Sequence, residues 1–248
     1  SIHVPEGKDV VFISDVHLGF GSREADRERE KKLVKLLKEI KPTCAHLFIV
    51  GDLFDYWFDY KTAIPRGPVR TLAALHDLRD AGVEITYLMG NHDFGHYTYF
   101  RDEVGIEVDR GDVDATIHGK RFYISHGDGK AANDGGYLVL RSVLRNGLAQ
   151  WLYRSLHPNI GIGLASRTSH ESRGYTDSRD FGATDGLQAF AAEKISEGFD
   201  FVIMGHRHKA CFEEMNGGTY VNLGDWLGDK VTYGRYTPDT GFQVIHMD

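Results

Sequence analysis

Cysteine is almost missing from this chain: of 248 residues, only Cys44 and Cys211 carry thiols. That excludes a disulfide framework and makes free thiols in a reducing compartment the default. Basic charge is also short, with 29 Lys and Arg against 36 Asp and Glu and a formal net charge of −7. A general nucleic-acid binder presents a basic face, so no nucleic-acid partner is expected. Long apolar runs are lacking as well. Nothing approaches the ~20 residues that a spanning helix needs, and the start of the chain lacks the charged-then-apolar pattern of a secretion signal. The expectation is a soluble cytoplasmic protein, long enough to bury a sizeable core as one large domain or two small ones.

What is present is an alternation of strand and helix signals that keeps stopping at polar residues. Asp9 to Ser14 reads as an apolar strand ending at Asp15-Val16-His17. Arg23 to Ile40 is amphipathic, with Leu33, Leu36, Leu37 and Ile40 at helical spacing, and stops near Pro42. Leu47 to Val50 is a fully apolar strand of the buried kind that ends at Gly51-Asp52. An aromatic-rich loop, Phe54 to Tyr60, precedes a helix over roughly Pro68 to Ala81. Val83 to Met89 is the third core strand, ending at Gly90-Asn91-His92-Asp93. Ile117 to Phe122 reads as a hairpin turning at Gly119, and its return strand ends at His126-Gly127-Asp128. Helix Leu187 to Glu197 leads to strand Phe199 to Met204 and then to Gly205-His206-Arg207-His208. The tail, Cys211 to His246, reads as short strands in antiparallel pairing. The simplest organisation is one catalytic domain over 1–248 with a mostly helical insertion at about 130–175.

Active sites of layered α/β folds gather where strands end at the carboxyl edge of a sheet. Asp15 and His17 lie two apart on what reads as extended chain, so both project to one side and can chelate one ion. His206 and His208 repeat that spacing, and Asp52, Asn91 and His126 each follow an apolar strand. A single Gly-Asp after a strand is usually only a cap. Five such clusters, each at a strand end, are not explained by capping and point to metal. Nitrogen and oxygen donors without thiolate suit Mn²⁺, Fe²⁺ or Zn²⁺ better than a structural zinc. Asp52 is the candidate for a ligand shared by two ions.

The ordered set Asp15-X-His17, Gly51-Asp52, Gly90-Asn91-His92-Asp93, His126 and Gly205-His206-X-His208 resembles the signature of the calcineurin-like metallophosphoesterases across nearly the whole chain. The resemblance implies an α/β fold, a four-layer αββα metallophosphoesterase sandwich, with two divalent metal ions at the strand ends, Mn²⁺ foremost. It implies one ion held by Asp15, His17, Asp52 and His208 and another by Asp52, Asn91, His126 and His206. His92 would be the catalytic group facing the leaving group, with Asp93 orienting it.

A narrower likeness is carried by Asp134, Tyr137, Arg141, the run Gln150-Trp151-Leu152, Leu156-His157-Pro158 and the ending Leu223-Gly224-Asp225-Trp226. These resemble the UDP-2,3-diacylglucosamine hydrolases, which cleave a pyrophosphate to UMP and a lipid monosaccharide phosphate in lipid A synthesis. The pattern of that family has Arg where this chain has His92, and Gly-Asp-Asp where it has Phe58-Asp59-Tyr60. The resemblance implies an anionic lipid-linked nucleotide as substrate and a helical lid whose Asp134, Tyr137, Arg141 and Arg145 bind it. It also implies peripheral contact with the inner face of the cell membrane.

The insertion supports this from its own composition. Lys130, Arg141, Arg145, Arg154, Arg167 and Arg173 face only Asp134 and Glu171 in charge, while Tyr137, Leu140, Val143, Leu144, Leu148, Trp151, Leu152 and Leu156 form a wide apolar face. Such a face suits an acylated anion or an anionic membrane surface, and equally a helical hairpin packed on the core. Two alternatives stand beside the lipid substrate: a nucleotide or other phosphoester, and a non-catalytic scaffold of the same fold. Every expected ligand position carries a competent side chain, which weighs against the scaffold.

Overall fold

Alternation sorts β1 (Asp9–Ile13) into two faces: Val11 and Ile13 enter one hydrophobic cluster, Val10 and Phe12 another. In β2 (Cys44–Val50), Leu47 and Ile49 part from Phe48 and Val50 in the same way. Strands that are apolar on both faces have to be covered on both, and that requirement generates the layers. The computed structural model describes residues 2, 4–5, 7–130, 146–161, 163 and 186–247.

On the Val11 face lie two helices. α1 (Arg23–Ile40) begins at Ser22, whose hydroxyl accepts from the Ala25 N–H, and buries Leu33, Leu36, Leu37 and Ile40. α2 (Val69–Asp80) buries Leu72, Leu75 and Leu78 beside them. Strands β3 (Glu84–Leu88), β4 (Val108–Asp109), β10 (Val231–Thr237) and β11 (Gly241–Met247) complete the sheet in the order β11-β10-β1-β2-β3-β4. Pairing from β1 to β4 is parallel, while β10 is antiparallel to both its neighbours.

The Val10 face packs on a second sheet. β5 (Val113–Ile117), β6 (Lys120–Ser125), β7 (Phe201–Met204), β8 (Cys211–Met215) and β9 (Gly218–Asn222) run in the order β5-β6-β7-β9-β8, with β6, β7 and β9 parallel. Phe12 stacks on Phe48 at 5.0 Å and on Phe122 at 6.1 Å, tying the two sheets together. The connection from β6 to β7 carries α3 (Gly147–Arg154), capped by the Asn146 side chain, and α4 (Gly186–Ser196). α4 covers the outer face of the second sheet, setting Leu187, Ala191 and Ile195 against Val202, Met204 and Tyr220. The order of layers is helix, sheet, sheet, helix, as the resemblance implied.

The structure corrects several expectations. The tail is not one run of antiparallel pairing: β8 and β9 join the second sheet, where β9 is parallel to β7, and β10 and β11 join the first. Segment Asp15–His17 is not extended, since β1 ends at Ile13 and both residues have left-handed backbone, φ 52° and 51°. A short π-helical turn, Phe100–Val104, and the two-residue β4 were too brief to leave a periodic signal. On α3 and the turn after it, Leu148, Trp151, Leu152 and Leu156 are exposed, so that part of the insertion does not use them as core. Asp134, Tyr137, Leu140, Arg141, Val143, Leu144, Arg145, Arg167 and Arg173 lie outside the described residues.

Candidate metal centre

Parallel strands β1, β2 and β3 end on one edge of their sheet, and β6 and β7 end on the matching edge of theirs. Backbone and side-chain bonds draw the two edges together. Ser14 Oγ lies 2.9 Å from the Val50 carbonyl oxygen, His126 Nδ1 lies 2.9 Å from the same oxygen, and Trp226 N–H donates to the Asp15 carbonyl at 3.1 Å. Glycine makes that approach possible at three ligand loops. A Cβ on Gly51 would stand 2.4 Å from His126 Nδ1, on Gly90 2.1 Å from Asp52 Oδ1, and on Gly205 1.9 Å from Ser14 Oγ.

The backbone is held in costly conformations at the same place. Among the described residues, seven non-glycines have positive φ, and five of them are Asp15, His17, Asp52 (50°), His206 (70°) and His208 (54°). The other two, His118 and Asn216, sit in hairpin turns. Each left-handed residue costs about 1–3 kcal/mol, and such strain clusters where orientation matters. The two Asp/His-X-His chelates are thus formed by left-handed residues, not by strand alternation.

Each carboxylate has one oxygen tied down and the other turned toward imidazoles. Asp52 Oδ1 accepts from the His92 N–H at 2.8 Å, while Oδ2 lies 3.8 Å from His17 Nε2 and 3.3 Å from His126 Nε2. Asp15 Oδ2 accepts from Ser14 Oγ and the His206 N–H, while Oδ1 is buried, accepts no hydrogen bond, and lies 3.3 Å from His208 Nε2 and 3.7 Å from His17 Nε2. Asn91 Oδ1 lies 2.9 Å from His126 Nε2 and 3.0 Å from His206 Nδ1. His17 Nε2 and His208 Nε2 face each other at 3.1 Å. All seven predicted ligands therefore converge, and Asp52 Oδ2 stands between the two histidine groups.

Electrostatics tests whether these donors suit cations. Burial alone would raise the carboxyl of Asp15, yet contact with His17 and His208 holds it well below the usual range. Asp52 is likewise held low against burial, by the charges of His126 and His92. Burial pulls His17 down, but Asp15 and Asp55 outweigh it and lift it to about 9. His126 is raised well above its ordinary value against burial, chiefly by Asp52. His206 is pushed down by burial and by His126. Protons on imidazoles thus neutralise two carboxylates that cannot be left as bare buried charges, which is the task a divalent ion would take over as it displaced them. With Asp15 Oδ1 accepting no hydrogen bond and the ring nitrogens converging, the donor set fits hard-to-borderline divalent metal.

His92 and Asp93 are adjacent in sequence and separate in use. His92 Nδ1 lies 3.7 Å from Asp55 Oδ1, which also lies 3.7 Å from His17 Nδ1. Asp93 is turned the other way: its carboxylate accepts from the Leu53, Phe54 and Gly90 N–H groups and from Tyr87 Oη, and burial with the nearby Asp52 charge pushes it up to about 6. The carboxylate facing His92 Nδ1 is Asp55, while Asp93, expected there, is bonded to backbone N–H groups and Tyr87. Asp225 was also missed as a partner, 3.7 Å from His208 Nδ1. Asp55 was visible in sequence three residues after Asp52, and Asp225 inside the ending Leu223-Gly224-Asp225-Trp226, but only the folded chain says which imidazole each one meets.

The chain matches the calcineurin-like phosphoesterase family over residues 8–210. It belongs to that family. The phosphoesterase is accordingly a hydrolase of phosphoric ester or diphosphate bonds, and its family implies divalent metal. Among its relatives, a protein named UDP-2,3-diacylglucosamine hydrolase from Porphyromonas gingivalis is 33% identical over 95% of this chain and 95% of that one. A protein of the same name from Haemophilus influenzae is 29% identical over 88% of this chain and 91% of that one. Among solved structures, an archaeal phosphodiesterase aligns with the phosphoesterase at a TM-score of 0.48 and 15% identity, over 96% of this chain and 99% of that one.

Proposed function

We propose that this phosphoesterase cleaves the diphosphate of UDP-2,3-diacylglucosamine to UMP and 2,3-diacylglucosamine 1-phosphate, in lipid A synthesis. The observation that carries the reading is likeness to the Porphyromonas gingivalis hydrolase along nearly the whole of both chains. Two divalent ions are proposed, one on Asp15, His17, Asp52 and His208 and the other on Asp52, Asn91, His126 and His206, with Mn²⁺ the preferred metal and Fe²⁺ or Zn²⁺ the alternatives. When bound, such a pair supplies Lewis-acid polarisation of the phosphoryl oxygens and activation of the attacking water.

The chain's own side chains do the rest. Asp52, pinned through Oδ1 by the His92 N–H, keeps Oδ2 turned toward both histidine groups. His92 donates a proton or a hydrogen bond to the leaving oxygen through Nε2, because its Nδ1 faces Asp55. Asp93 is a buried brace under the Gly90-Asn91 turn.

One catalytic domain over 1–248, with a lid at about 130–175, is proposed to bind the lipid. The lid's Asp134, Tyr137, Arg141 and Arg145 would take the anionic head, and exposed Leu148, Trp151, Leu152, Leu156 and Ile160 the acyl chains or the inner membrane surface from the cytoplasmic side. The test is UMP release from UDP-2,3-diacylglucosamine, from its deacylated counterpart and from an aryl phosphodiester, with Mn²⁺ and after chelation. The acylated compound should be strongly preferred and metal-dependent. Equal cleavage of the deacylated one would replace the lipid reading with a nucleotide or general phosphoester.

A further inference from the structure

Three tyrosines from two segments join at their hydroxyls beside the metal centre. Tyr56 Oη lies 3.1 Å from Tyr60 Oη and 3.2 Å from Tyr153 Oη, and Tyr153 Oη donates to the Gly161 carbonyl at 2.6 Å. A hydroxyl has one proton to give, so the directions follow. Tyr153 spends its proton on Gly161 and must accept from Tyr56. Tyr56 must then accept from Tyr60. The result is a directed relay, Tyr60 to Tyr56 to Tyr153 to the Gly161 carbonyl, in which each bond polarises the next.

The relay crosses from the loop after β2 to the inserted helix. Its loop end is rigid: Asp59 accepts from the Trp57 side chain and from the N–H groups of Tyr97, Thr98 and Tyr99, and the backbones of Trp57 and Asp59 pair with Gly95. Its helix end, among the described residues, is met by rings and by one glycine. Phe58 packs on the Tyr153 ring at 4.6 Å, the Arg154 guanidinium lies 4.7 Å over the Tyr97 ring, and a Cβ on Gly161 would stand 2.2 Å from Tyr60 Oη. α3 has eight residues and four of them, Gly147, Leu148, Trp151 and Leu152, face solvent, so neither length nor burial would hold it alone. Tyr56, moreover, directly follows Asp55, the carboxylate beside His92 and His17.

We infer that Tyr60, Tyr56 and Tyr153 form a latch that seats the inserted helix against the loop carrying Asp55, and that they are positioning residues for substrates that engage the insertion. The substrate half of this rests on the acylated sugar nucleotide proposed above, while the latch itself does not. Tyr153→Phe and Tyr56→Phe remove only a hydroxyl and keep the ring, and each removes the hydroxyl pair that crosses from loop to helix. Hydrogen exchange of amides 147–161 should quicken about five- to tenfold in each, the size of one buried hydrogen bond. KM for UDP-2,3-diacylglucosamine should rise by a similar factor while kcat, and hydrolysis of an aryl phosphodiester, change less than about twofold. The double variant should be little worse than either single one, because a broken relay is broken once. Unchanged exchange in both Phe variants, or equal losses on both substrates, would overturn the latch. Quickened exchange in a protein that does not cleave the acylated nucleotide would keep the latch and reject the proposed substrate.

Discussion

At the metal centre Asp15 and His17 are fully excluded from solvent, whereas on α3 Leu148 and Trp151 expose 67% and 63% of their surface. The centre spends its polar atoms on fixed partners: backbone N–H groups hold one oxygen of Asp52 and of Asp15, and both oxygens of Asp93 are bonded. Among the described residues, the helix is met by one hydroxyl chain and a few ring contacts. Strained and buried on one side, exposed and apolar on the other, the two regions would divide the work under the proposed function. Chemistry needs donors that do not move, and a bulky amphipathic substrate needs a surface that can be seated and released.

The sharpest way to break that division is at its most constrained atom. Asp52→Ala should abolish hydrolysis and lower bound metal further than Asp15→Ala does, because it weakens both proposed subsites at once. Metal analysis that still found two ions in Asp52→Ala would remove the bridging assignment. His92→Ala comes next. It should keep its metal and lose about 10²- to 10⁴-fold in kcat, and the loss should shrink on a p-nitrophenolate leaving group, which needs no proton. Equal losses on both leaving groups would place His92 outside proton transfer.

A partner of a ligand should matter less than the ligand. Asp225→Ala, which leaves His208 without the carboxylate at its Nδ1, should weaken metal binding or activity about 10- to 100-fold, read by titration against a metal buffer. On the exposed side the effect is graded. Each methylene buried against α3 contributes about 0.8 kcal/mol, so kcat/KM should climb with acyl length, and Leu148→Ser or Trp151→Ser should flatten the climb while sparing a small diester. A slope identical to that of the parent would take the acyl chains away from this helix.

The smallest effect concerns stability under the centre. His96 is buried against Trp57, Tyr87 and Phe100 with no hydrogen bond at either ring nitrogen, and burial pushes it down to about 3. Its folded value lies below the unfolded one near 6.5, so between the two the unfolded state holds more protons. Stability from a neutral His96 is whole above pH 6.5 and is lost as pH falls toward 3. His96→Phe should raise stability by about 1 kcal/mol at neutral pH, by removing unpaired polar atoms, and should flatten the acid limb of a denaturation series. A steeper acid limb would contradict it.

Much of this was legible before folding. Apolar runs that stop at Gly-Asp, Gly-Asn-His and Gly-His-X-His told where strands end and which donors sit there, because a buried strand needs apolar residues on both faces and a turn needs glycine. The period of Leu33, Leu36, Leu37 and Ile40 placed α1 within its observed bounds. Those are local rules, carried by neighbours in the chain. What only the tertiary structure decided are contacts between residues far apart: that Asp55 rather than Asp93 meets His92, that Asp225 meets His208, that Tyr56 meets Tyr153 from 97 residues away, and that Asp52 Oδ2 faces two histidine groups at once. Side-chain direction at a loop depends on left-handed backbone at Asp15, His17 and Asp52, a conformation that Asp and His enter more readily than most residues but still at a cost, and that persists because packing from both sheets over-determines it.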